Sequence, residues 1–126
     1  MTTKEKGLIF IIEDEPAICM YMEELFTGDG FRVISTDNGK TAFELLRNLE
    51  TLPSIIFLDL MMPVMDGWRF LRELQNNPEN ERIKDIPVVV ITATQSDVSG
   101  NVVDVVRKPP DLDRLSELAE KYAAPH

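Results

Sequence analysis

The sequence predicts an α/β fold, a doubly wound five-stranded parallel sheet with helices on both faces. Three observations lead there. Short apolar, β-branched runs alternate along the chain with stretches of helical period. Turn residues, chiefly Gly, Pro, Asn and Asp, punctuate the joints between them. Two of the runs, residues 54–58 and 87–91, are apolar almost throughout, as strands buried on both faces are. Strands separated by helices pair in parallel through right-handed crossovers, and five of them fit the flavodoxin-like order 2-1-3-4-5.

The elements follow in order. Residues 8–12 read as the first strand. Pro16 suits the first turn of a helix whose apolar face is Ile18, Met22, Leu25 and Phe26, and Gly28-Asp29-Gly30 ends it. Residues 31–35 alternate as a half-buried strand does. Asp37-Asn38-Gly39 makes a turn, and Ala42, Leu45, Leu46 and Leu49 form a second apolar helical stripe. The buried run 54–58 comes next, then a third helix over 67–76 with Phe70, Leu71 and Leu74 inward, broken by Asn76-Asn77-Pro78. The run 87–91 gives the fourth strand and 102–106 the fifth. Asp111 is an N-cap for the last helix, whose buried face is Leu112, Leu115, Leu118, Ala119 and Tyr122. No repeat or linker divides the chain, so a single domain over 1–126 with no output domain is expected.

Composition narrows the function. With 22 acidic against 13 basic residues the net charge is −9, which argues against a nucleic-acid partner. The single cysteine, Cys19, cannot form an internal disulfide. The apolar run 8–12 ends in Glu13-Asp14-Glu15, too short and too acidic afterwards for a signal peptide, and no stretch approaches a membrane span. A cytoplasmic protein without membrane association is expected.

Open α/β sheets place their chemistry beyond the carboxyl ends of the strands. Glu13 and Asp14 follow the first strand, Asp59 the third, Thr92 the fourth and Lys108 the fifth. Singly, each has an ordinary reading as a cap, a turn residue or a surface charge. Together they bring three carboxylates, a hydroxyl and an ammonium to one edge. Clustered carboxylates ionise together only when a cation compensates them. An all-oxygen set suits Mg²⁺, and the one histidine, terminal His126, leaves no zinc site. A carboxylate can attack phosphorus and become an aspartyl phosphate, with a metal, a lysine and a hydroxyl stabilising the charge that develops.

Four stretches make this specific: Ile11-Ile12-Glu13-Asp14-Glu15-Pro16, Phe57-Leu58-Asp59-Leu60-Met61-Met62-Pro63-Val64-Met65-Asp66-Gly67, Val90-Ile91-Thr92-Ala93 and Lys108-Pro109. With these the chain resembles a response-regulator receiver domain over nearly its whole length. The resemblance implies Asp59 as phosphoacceptor and a Mg²⁺ site of Asp14, Asp59 and the Met61 backbone carbonyl. Glu13 stands where Asp is commoner and acts through a metal-bound water. Thr92, Lys108 and the Ala93 backbone bind the phosphoryl oxygens, and Met61 and Thr94 occupy positions that help set how fast the phosphoryl group hydrolyses. It also implies a cis Lys108–Pro109 peptide, a sensor histidine kinase or histidine phosphotransfer protein as donor, and a protein target. Trp68 is read as a packing residue of the third helix, and Glu15 as a charge favoured by the helix dipole.

The pattern also departs from that family. Lys108 comes only sixteen residues after Thr92. An average helix needs about 11–12 residues, and residues 94–101 carry one apolar side chain. The fourth helix is therefore expected to be short or absent. Val105 stands at the switch position where related receivers carry an aromatic ring, and Pro110 replaces the usual apolar residue after Lys-Pro. Two other functions compete with phosphosignalling. One is a constitutive interaction module that keeps the fold and is regulated without phosphate. The other is a phosphohydrolase with an aspartyl nucleophile, of the haloacid-dehalogenase type, which needs a second Asp where Met61 stands.

Overall fold

The structure, a computed structural model, describes residues 6–94, 98 and 100–125. Five strands, β1 (Leu8–Ile12), β2 (Arg32–Thr36), β3 (Ile55–Asp59), β4 (Val88–Thr92) and β5 (Val102–Arg107), form one parallel sheet in the expected order β2-β1-β3-β4-β5. Among the described residues four α-helices pack on it: α1 (Pro16–Gly28), α2 (Gly39–Asn48), α3 (Gly67–Asn76) and α4 (Leu112–Ala123). A 3₁₀ turn at Pro78–Asn80 follows α3. No described residue between β4 and β5 is helical, so α4 is the C-terminal helix. The expectation for 94–101 falls partly on 95–97 and 99, outside the described residues.

Strand alternation divides the interior into two cores. Phe10, Ile12, Ile56, Leu58, Val88 and Val90 face α2 and α3, where Phe43 and Phe70 stack at 4.4 Å. Ile9, Ile11, Ile55, Phe57, Val89 and Ile91 face α1 and α4, where Phe26 stacks on Phe57 at 4.9 Å. Every residue of β1, β3 and β4 is buried, as strands covered on both faces require. Trp68 packs half-buried against the first of these cores. No helix among the described residues is long and apolar enough to cross a membrane.

Two side chains depart from expectation. Leu45 is half-exposed, because α2 turns Ala42, Phe43 and Leu46 inward instead. Leu112, the first residue of α4, is also half-exposed, and burial begins at Leu115. Helix starts follow the sequence more closely. Asn38, Asp66 and Asp111 each accept a backbone N–H, from Thr41, Arg69 and Asp113, at 2.9 Å. The Lys108–Pro109 peptide is cis.

The loop between β3 and α3 contains a tight turn in which Met65 N–H donates to the Pro63 carbonyl at 2.7 Å. Val64, at its centre, has φ of +69° and is 74% exposed. A β-branched side chain is disfavoured in this left-handed region and here gains no burial in return. Val64→Gly is expected to raise stability by about 0.5–1 kcal/mol, after allowing for the greater freedom of glycine in the unfolded chain. Urea unfolding checks this, and an equal loss of stability would contradict it.

Candidate functional site

Parallel register brings the strand ends together. Ile12 pairs with Leu58, which sets Glu13 level with Asp59. Asp59 pairs with Ile91, so Thr92 stands one step further out. Thr92 pairs with Arg107, and the Lys108 N–H donates to the Thr92 carbonyl at 2.9 Å. Because β1 and β3 stop at these positions, their next polar residues emerge at the sheet's carboxyl edge.

There Glu13, Asp14 and Asp59 each offer an oxygen, all within 4.8 Å of one another. Lys108 reaches in from the β5 side. Its Nζ donates to Glu13 Oε1 at 2.7 Å and to Glu15 Oε1 at 3.1 Å, and lies 3.4 Å from Asp59 Oδ2. The Met61 N–H donates to Asp59 Oδ1 at 3.0 Å, which fixes the carboxyl plane. Behind Asp59, Gly67 packs so closely that a Cβ there would lie 2.7 Å from Leu60 Cα and 2.8 Å from the Asp59 carbonyl oxygen. Only glycine fits this approach.

The charges are unbalanced. Burial pushes the Glu13 carboxyl up to about 8, with the Asp59 charge adding to the rise and Lys108 opposing it. Asp14 is raised for the same first reason, and Asp59 raises it further. Burial works against the Lys108 ammonium, yet Glu13, Asp59 and Glu15 outweigh it and raise its pKa. Among the described residues three buried oxygens, Glu13 Oε2, Asp14 Oδ1 and Asp59 Oδ2, lack a hydrogen-bond partner. Orphaned buried acceptors on three converging carboxylates fit a hard divalent cation with oxygen ligands, Mg²⁺ among them.

The structure thus joins Glu13, Asp14, Asp59 and Lys108 in one cluster, with Met61 on its rim. Thr92 is fully buried, and its Oγ1 engages Thr94 instead of a carboxylate, accepting the Thr94 N–H at 3.2 Å. The Ala93 carbonyl accepts from Arg107 at 3.5 Å. Val105 lies in register with Val90 and is 39% exposed, and its side chain carries no ring. Glu15 adds a contact to the sequence reading of a helix N-terminal charge. It stands at the N-cap of α1, but its side chain caps nothing and holds Lys108. No sequence signal separates these roles, because both ask only for an acid after the first strand.

Comparisons with known proteins agree with this geometry. The family model for the response regulator receiver domain matches residues 9–120. The chain is 32% identical over 137 residues to the probable methanogenesis regulatory protein FilR2 of Methanothrix harundinacea, covering 97% of this chain and 86% of that one. It spans only 33%, 24% and 25% of the length of other curated relatives that it matches. A CheY-like receiver domain protein from Methanospirillum hungatei superposes with a TM-score of 0.79 at 27% identity, covering 93% of this chain and 94% of that one. The receiver domain of sensor histidine kinase PA1611 from Pseudomonas aeruginosa, with a magnesium ion coordinated in its active site cleft, shares the fold. Its TM-score is 0.76 at 22% identity, covering 92% and 96% of the two chains. Domains of this kind are signalling modules that bind Mg²⁺ in an acidic site and interact with histidine kinases or phosphotransfer proteins. The chain belongs to the response regulator receiver domain family, the phosphoryl-accepting modules of two-component signalling.

Proposed function

We propose that this domain takes a phosphoryl group on Asp59 from a phosphohistidine of a sensor kinase or phosphotransfer protein, and that a protein target reads the result. The observation that carries the reading is the Asp59 carboxyl itself. It is buried at a strand end between two other acids, with one oxygen fixed by Met61 N–H and the Lys108 ammonium 3.4 Å from the other.

In this reading Asp14, Asp59 and the Met61 carbonyl would hold Mg²⁺ directly, and Glu13 would act through water. Held there, Mg²⁺ would supply positive charge against the carboxylates and the phosphoryl oxygens. An Asp59 oxygen attacks phosphorus, the P–N bond breaks, and imidazole leaves with the bonding pair. Lys108 donates to a phosphoryl oxygen, and so do the Thr92 hydroxyl and the Ala93 backbone, once Thr92 turns from Thr94. Since the loose transition state loads charge on those oxygens, positioned donors are the main contribution of the chain.

Signal output does not use an aromatic ring that follows Thr92, because Val105 has neither a ring nor a polar tip. The phosphohydrolase alternative lacks an acid: the side chain two residues after Asp59 is the thioether of Met61, exposed and unable to shuttle a proton.

The test is incubation with acetyl phosphate followed by intact-mass analysis. One phosphoryl group is expected with Mg²⁺, and none without it. Labelling that ignores Mg²⁺, or continuous turnover of a phosphomonoester, would refute the reading. Asp14→Ala is further expected to weaken Mg²⁺ binding about tenfold more than Glu13→Ala does, since a direct ligand loses more than a water-mediated one. Calorimetric titration measures both, and the opposite order would reverse the roles of the acid pair.

A further inference from the structure

We infer that Glu15 is a restraining residue, which holds the Lys108 ammonium away from an incoming phosphoryl group and so slows phosphorylation of Asp59. The inference rests on the proposed phosphoacceptor role of Asp59. Lys108 Nζ donates to Glu13 Oε1 at 2.7 Å and to Glu15 Oε1 at 3.1 Å, and stands 3.4 Å from Asp59 Oδ2 without a hydrogen bond to it. A phosphoryl group on Asp59 competes with these two bonded carboxylates for the position of the ammonium. Glu13 and Asp59 belong to the converging trio whose charge a divalent cation neutralises, and Glu15 does not. With a cation present, Glu15 is the carboxylate in this set that keeps its full claim on the ammonium.

Among the described residues the Glu15 side chain makes no hydrogen bond or ion pair besides the one to Lys108. Asn38, Asp66 and Asp111 at the other helix starts cap their helices, whereas Glu15 makes no capping bond. Its side chain is 56% exposed, so it fills no core position. It therefore acts on the reaction through Lys108 and by adding negative charge at the mouth of a site that must admit an anion.

Glu15→Gln keeps an acceptor oxygen and removes the charge, and Glu15→Ala removes both. Each is compared with the wild-type chain by intact mass during phosphorylation with acetyl phosphate and Mg²⁺. Both variants are expected to label about three- to tenfold faster in low salt, the size of effect that one nearby charge exerts at a partly exposed site. The gain shrinks in about 1 M salt, where screening reaches only about 3 Å. Calorimetric titration with beryllofluoride and Mg²⁺, which involves no turnover, should show tighter binding by the same factor. Unchanged thermal unfolding separates this from a structural role, which would move stability and not salt dependence. If wild type labels and both variants label no faster, the inference about Glu15 is wrong and the phosphoacceptor reading stands. If wild type takes no phosphoryl group at all, both fail.

Discussion

Gly67→Ala is expected to destabilise the protein by about 3 kcal/mol, the cost of forcing a methyl group into closed backbone. The added Cβ would meet Leu60 Cα at 2.7 Å and the Asp59 carbonyl at 2.8 Å, and neither is a flexible side-chain end that can swing aside. Relief requires α3 or the end of β3 to move. Either shift breaks the Gly67 N–H bond to the Leu60 carbonyl, now 2.9 Å, and tilts the Asp59 carboxyl away from Met61 N–H. The variant should therefore lose phosphorylation rate even at temperatures where it stays folded. Urea unfolding together with acetyl phosphate labelling checks both parts. A stability change below about 0.5 kcal/mol, the range of ordinary surface substitutions, would show that the approach is not closed.

Lys108→Ala carries the largest expected loss among the donors. Removing a positioned donor to a developing oxyanion costs on the order of 10²–10³-fold in rate, and a similar fall in phosphorylation by acetyl phosphate is expected here. The variant also leaves Glu13 and Asp59 buried without their cation, which should destabilise the protein by roughly 3 kcal/mol in the absence of divalent metal. Mg²⁺ should recover part of that loss, since a ligand bound only to the folded state stabilises it by mass action. Thermal unfolding with and without Mg²⁺ measures the recovery. A variant that labels at the wild-type rate would remove Lys108 from the reaction.

The sheet was legible because its signals are local and periodic. The runs that became β3 and β4 are apolar at nearly every position, and only burial on both faces accommodates that. From strand order and register the carboxyl edge followed, and with it the meeting of Asp14, Asp59 and Lys108. What the sequence hid was side-chain choice among near-equals. Leu45 and Phe43 both could have faced the core from α2, and the stack with Phe70 settles which one does. Glu15 read as a helix-dipole charge and does stand at a helix start, but its bond to Lys108 stayed hidden because that partner lies 93 residues away. Gly67 is a glycine beside an acid in sequence, and only the fold places Leu60 and Asp59 against it. Thr92 reads as a phosphoryl ligand, yet in this structure its hydroxyl faces Thr94.

The central claim is that Asp59 itself carries the phosphoryl group. Borohydride reduction tests it most directly, because it converts an aspartyl phosphate to homoserine and leaves free carboxylates intact. After labelling with acetyl phosphate and Mg²⁺, peptide mass spectrometry should find homoserine at position 59 alone, and nowhere in Asp59→Asn. Homoserine at Asp14 or elsewhere in the wild-type chain, with Asp59 unmodified, would contradict the account.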